Sequence, residues 1–164
     1  MTRLPDGIDI EGPVQGELYV VWLRDDRLEL TSPCGSEPWL IELQATEHPV
    51  EVASRIVRDV IGEPILVHST SWRRERDAVI LSFVVVIDAS LVGSMPSAPI
   101  SRAELARSDA TDAPRAIENS QVVEHGLRHL AWLVKDDQVV AAALPPAWSS
   151  ALADYVPEPF RALG

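Results

Sequence analysis

A chain of 164 residues with 46% hydrophobic and 24% charged side chains has the composition of an ordinary globular domain, which excludes wholesale disorder and fibrous repeats. Its 25 acidic residues against 14 basic ones give a net charge of −11, which repels nucleic-acid backbones and anionic membranes. The single cysteine, Cys34, excludes an internal disulfide and a cysteine-based zinc site within one chain, so a reducing cytoplasm is the expected location.

At this length one domain is expected across residues 1–164, with residues 1–16 a loose tail that lacks the apolar core of a secretory leader. The most apolar run, 79–87, is too short for a helical membrane span and is broken by Ser82. Lys135 is the one lysine among the basic residues, and so arginine-rich a set is a codon signature of high-GC bacterial genomes.

In chain order, residues 17–24 read as a strand, ended by the turn signal Asp25-Asp26 and answered by 27–30. The stretch 31–36 is loop by composition, and 39–43 is a short strand. At 49–61 the period becomes helical: Val50, Ala53, Val57 and Val60 or Ile61 share a face, Pro49 suits the first turn, and Gly62 and Pro64 stop the helix. Residues 65–71 and 79–87, rich in β-branched side chains, form an antiparallel hairpin around a charged tip. That tip, Arg73, Arg74, Glu75, Arg76 and Asp77, reads as a solvated turn. The second strand of the hairpin is apolar on both faces and should be central. Residues 91–99, with Gly93 and two prolines, read as a surface crossing. Ser101 and Glu104 are spaced as a capping box for a short helix to Arg107. A longer helix is predicted over 114–134 from the spacing of Ile117, Val123, Leu127, Leu130 and Val134, followed by short helices at 136–144 and 147–155. Residues 114–156 thus make a C-terminal helical region.

The segment 46–62, T-E-H-P-V-E-V-A-S-R-I-V-R-D-V-I-G, resembles the Nudix box, G-x5-E-x7-R-E-U-x-E-E-x-G-U with U aliphatic. Glu47 stands at the first glutamate, Arg55 at the arginine, Val57 at an aliphatic position and Gly62 at the closing glycine. The family's three metal-binding glutamates fall on Ile56, Asp59 and Val60, and its opening glycine on Ile41. The resemblance implies an α+β (α/β) fold, a Nudix-like mixed sheet sandwiched by helices, here with extra C-terminal helices. It also implies a scaffold kept and a catalyst lost. Two of the three carboxylates that would gather Mg²⁺ or Mn²⁺, neutralise a diphosphate and activate water are gone. The expected function is therefore a catalytically silent Nudix-like binding or interaction domain without a cofactor. The alternative is a divergent pyrophosphohydrolase of nucleoside diphosphate derivatives whose Mg²⁺ or Mn²⁺ is held by Glu47, Glu51, Asp59 and carboxylates outside the box. The same residues also fit a charge-paired stripe, since Glu47, Glu51, Arg55 and Asp59 recur every four positions, and for Asp59 the stripe is the preferred reading.

His125 and His129 lie four apart on the predicted long helix, the spacing with which two imidazoles meet one Zn²⁺. No third ligand stands near in sequence and the glutamate of H-E-x-x-H is missing, so surface histidines partly paired with Glu124 are expected instead. Cys34 would need His48 or His68 to act as a nucleophile, and an inert lone cysteine is preferred. Tryptophans 22, 39, 72, 132 and 148 are dispersed, as packing residues are, rather than gathered into a base-stacking platform. The apolar side chains of the C-terminal region exceed what one sheet face is expected to bury, and Trp132 points away from the inward stripe. A homodimer with Trp132 at or near its interface is therefore predicted, unless the short helices or Pro157, Glu158, Pro159 and Phe160 fold back over it. A small molecule or another protein is the remaining expected partner; nucleic acid and membrane are not.

Overall fold

The architecture follows from a computed structural model that describes residues 2–3, 9–10, 12–35, 37–44, 46–104 and 118–156. A two-strand ribbon, β1 (Thr2–Arg3) with β2 (Asp9–Ile10), precedes the main sheet. β3 (Val14–Arg24) turns back into β4 (Arg27–Thr31) through Asp25 and Asp26, both at positive φ (47° and 64°), the backbone that a tight two-residue hairpin turn demands and that Asp tolerates. β5 (Trp39–Leu43) pairs with the first half of β3, where β4 has not yet begun. Helix α1 (Pro49–Val60) leads to the hairpin β6 (Leu66–Glu75) and β7 (Ala78–Val86). After a 3-10 turn at Ala89–Leu91 comes β8 (Ser97–Pro99), and then the helices α2 (Asn119–Asp136), α3 (Gln138–Ala143) and α4 (Ala147–Ala151).

The sheet has six strands in the order β6-β7-β3-β4-β8, with β5 beside β3. β3 and β7 run parallel and the other pairs antiparallel, so the sheet is mixed. Alternation along β3 splits the core in two. Leu18, Val20 and Trp22 face α1 together with Phe83 and Val85, whereas Tyr19, Val21, Val84 and Val86 face the C-terminal helices. β7 is apolar on both faces because both are covered, as its sequence led one to expect. α2 lies close on β7: a Cβ at Gly126 would sit 2.5 Å from Cγ2 of Val84, so only glycine permits this approach.

Several expectations change. The expected tail 1–16 gives up its last three residues to the sheet, because β3 begins at Val14. The 91–99 stretch is not solely a crossing, since Ser97–Pro99 pairs with Glu29–Thr31 as an edge strand, the place in a sheet where proline is tolerated. No helix starts at Ser101; residues 101–104 are irregular, and the remainder of that expected helix, with Arg107, lies outside the described residues, as do Pro114 and Pro157 to Phe160. The long helix is described from Asn119, where the Gln121 side chain accepts the Glu118 backbone N–H at 3.0 Å. The C-terminal apolar surplus is also largely absorbed, because Leu127, Leu130, Val140, Leu144, Trp148 and Leu152 join one core with the sheet. Trp132 remains 41% exposed with His129 against its ring. Among the described residues no helix is long and apolar enough to cross a membrane.

Candidate functional site

α1 carries the recognisable frame. Pro49 opens the helix, where a missing N–H is harmless, and Val52, Ala53 and Val57 are buried against the sheet. Gly62 closes it with φ 140° and an N–H to the Val57 carbonyl at 3.0 Å. A side chain there would be strained, and its Cβ would lie 2.8 Å from Cδ2 of Leu91, so the glycine at that position of the resemblance has a steric reason. Arg55 donates to Glu47 at 3.0 Å on the surface, and this hydrogen bond holds the Arg55 pKa up. Arg58 turns to Glu63. Of the three positions that the resemblance gives to metal ligands, Ile56 is half-buried and packed on the α1-side core, Asp59 is exposed, and Val60 is 58% exposed. Glu51 is exposed as well. Eight residues of helix separate Glu51 from Asp59, about 12 Å along the axis, so the two carboxylates do not meet at one ion. The expected stripe is therefore formed in part, by Glu47 with Arg55.

The opposite face of the sheet holds polar chemistry that the sequence did not announce. β3 and β7 set Glu17 beside Ser82, and β6 brings Arg73 over them. Glu17 is 2% exposed. Its two carboxylate oxygens accept from the Arg73 guanidinium, Nη1 to Oε1 and Nη2 to Oε2, the latter at 2.9 Å, and Ser82 donates at 2.6 Å. Hydrogen bonding to Glu17 in turn raises the Arg73 pKa. Next along β3, Tyr19 donates to Oδ1 of Asn119 at 3.2 Å, and Asn119 donates to Glu37 at 2.9 Å. Burial, helped by the Glu17 charge, pushes the Tyr19 phenol far up. These groups border a groove of about 500 Å³, lined by Gln15, Glu17, Leu40, Arg73, Ile80 and Asn119 among others. Three carboxylates (Glu17, Glu75, Asp77) and two arginines (Arg73, Arg76) line it, leaving a net charge of −1. Arg73 is thus not part of a solvated tip: it lies within β6, its side chain 21% exposed, and its charge is spent on a buried acid. Arg74 and Arg76 are exposed, as expected.

The other candidates separate. Glu124 does not partner the histidines of its helix; at 1% exposure its carboxylate accepts from Arg102 (2.8 Å) and Arg128 (3.1 Å), and Arg102 also lies 4.2 Å over the Tyr155 ring. This node ties the segment before α2 to the one after α4. His125 and His129 do come together, and His68 joins them from β6, its Nε2 2.9 Å from Nδ1 of His129. Among the described residues, no three His, Cys, Asp or Glu side chains are grouped so as to hold a metal ion. Cys34 is exposed in its loop, its backbone N–H on Ser32, while His68 is engaged with His129. The one signal that pointed to the Glu17 network was Ser82, a hydroxyl in the most apolar run of the chain.

No family model matches the sequence, and no curated protein matches it. Among solved structures, the chain is similar to a MutT/nudix family protein from Enterococcus faecalis, with a TM-score of 0.56 and 10% identity over 93% of this chain and 78% of that one. At that identity the likeness shows the fold. The molecule has a Nudix-like α+β fold, a mixed six-stranded sheet with helices on both faces.

Proposed function

We propose that the chain is a Nudix-like binding domain that hydrolyses no diphosphate, and that its ligand sits in the groove beside Glu17 and Arg73 rather than along α1. What carries the reading is Ile56. The position that the resemblance gives to a metal-binding carboxylate holds an aliphatic side chain packed on the core, next to the equally donor-free Val60. The residues of α1 therefore do not fit a Mg²⁺ or Mn²⁺ cluster, because the three positions offer one carboxylate, Asp59. The rival pyrophosphohydrolase would have to rebuild its site from Glu47, Glu51, Asp59 and carboxylates outside the box. Against it stand the engagement of Glu47 with Arg55 and the axial distance of about 12 Å between Glu51 and Asp59.

The groove supports binding for a separate reason. A buried ion pair is seldom retained for stability, since an apolar pair of equal volume does as well or better. Glu17 and Arg73 border an open groove, where a fixed array of donors and acceptors serves recognition. Its lining charge of −1 disfavours a bare polyanion. The test is a panel of nucleoside diphosphate derivatives incubated with Mg²⁺ or Mn²⁺, together with calorimetric titration of Mn²⁺ alone. No turnover above background and no Mn²⁺ site sensitive to Asp59→Ala are expected. Metal-dependent turnover that Asp59→Ala removes would establish the rival.

A further inference from the structure

We propose that His68 and His129 form an acid-sensitive latch fastening α2 to the edge strand β6. Their facing nitrogens are 2.9 Å apart and their rings are nearly parallel, 17° between planes and 4.9 Å between centroids. The His125 ring centroid lies 6.4 Å from that of His129, with 26° between the planes, and Trp132 leans on His129 at 5.7 Å. One proton occupies the space between the two facing nitrogens, donated by one ring and accepted by the other. A single added proton on an outer nitrogen leaves that bond in place. When both rings are cationic, each facing nitrogen carries hydrogen, so the bond is lost and two like charges stand in contact.

Among the described residues, the side chains set against the two rings carry no carboxylate. β7 sets Val84 opposite His68, and α2 presents His125, His129 and Trp132. The nearby Glu124 of α2 is occupied by Arg102 and Arg128 on the same residue's carboxylate. The electrostatic influence on His68 comes from His129, and that on His129 from His125. Burial first, and then the neighbouring histidine, lowers the pKa of each from the ordinary 6.5. The folded chain therefore binds fewer protons at these rings than the unfolded chain does. Stability from this source is full above pH 6.5, declines as pH falls toward the folded-state values, and levels off below them. β6 has a strand neighbour, β7, on one side only, so the latch holds a sheet edge.

The test compares thermal unfolding of the full chain with that of His68→Phe and His129→Gln at pH 7.5 and 5.0, in buffer containing EDTA. Carboxylate titration is common to all three and cancels in the difference. The unsubstituted protein should lose roughly 2–4 °C more than either variant on acidification. In parallel, Trp132 emission is followed against pH, because a protonated imidazole quenches an adjacent indole. Its midpoint should fall below 6.5 and the titration should vanish in Trp132→Phe. Equal losses of melting temperature in all three proteins, or a Trp132 midpoint at or above 6.5, would overturn the latch. Should either variant not fold, His68→Asn or His129→Asn takes its place in the same comparison of melting temperatures.

Discussion

The two faces of the sheet divide frame from chemistry. On the α1 face stands the segment that resembles a known catalytic motif, yet its inward side chains are Val52, Ala53 and Val57, and its charges pair in solvent. On the α2 face no local motif is legible, and there the chain buries a carboxylate on Arg73 and another on Arg102 and Arg128, and joins a half-buried histidine pair. The contrast teaches that a motif's geometric residues and its chemical residues answer to different constraints. Gly62 and Val57 keep the helix seated and are needed in any chain with this loop and helix. Ile56 packs on the core and Val60 is exposed, so the packing of α1 asks for no carboxylate at either position.

The largest effect is expected where this contrast is broken at Arg73. Arg73→Met leaves the Glu17 carboxylate buried with Ser82 as its remaining hydrogen-bond donor from that trio, and removal of one partner of a buried pair destabilises by about 3–5 kcal/mol. The double variant Glu17→Leu with Arg73→Met should recover most of the loss, since it removes both charges. Urea unfolding measures both; a single variant as stable as the parent would mean that Glu17 is reached by water and that the pair is no buried network. Gly126→Ala comes next. Alanine gains about 1 kcal/mol over glycine in a helix interior, but its Cβ would lie 2.5 Å from Val84 on the central strand β7. Overpacking of this kind costs about 1–3 kcal/mol, so a net loss on the order of 1 kcal/mol is expected by the same measurement. A stabilised Gly126→Ala would show instead that α2 lifts freely from the sheet.

How much of this was legible depends on the range of the interaction. The hairpin of β3 and β4, the strand β5, helix α1 and the hairpin of β6 and β7 follow local rules, of alternation, turn chemistry and helical period, and their expected limits agree with the structure to within a few residues. β8 was missed because three residues ending in proline have no period of their own; pairing with Glu29–Thr31 defines them. Arg73 was misplaced for a related reason. Its partner lies 56 residues away, and nothing near either residue marks the pair. His68 and His129 are 61 apart and equally silent in sequence, although the helical spacing of His125 and His129 was visible. The spacing of Glu124 suggests the histidines of its helix, whereas its partners are Arg128, four residues on, and Arg102, which lies before the helix start.

The smallest effect is expected at Arg55, the arginine of the resemblance and for that reason the residue a motif-based reading would rank first. Its hydrogen bond to Glu47 joins two side chains that are 54% and 38% exposed, so water competes for both ends and salt screens what remains. Alanine is at least as good a helix former, which offsets the little that the pair contributes. Arg55→Ala should therefore leave the urea midpoint unchanged within error, at low salt and at high salt alike. The outcome bears on the comparison of the two faces directly. Were Arg55→Ala to destabilise the chain as much as Gly126→Ala, the surface pair would be holding the loop before α1 against the sheet, and the α1 face would carry more than a frame.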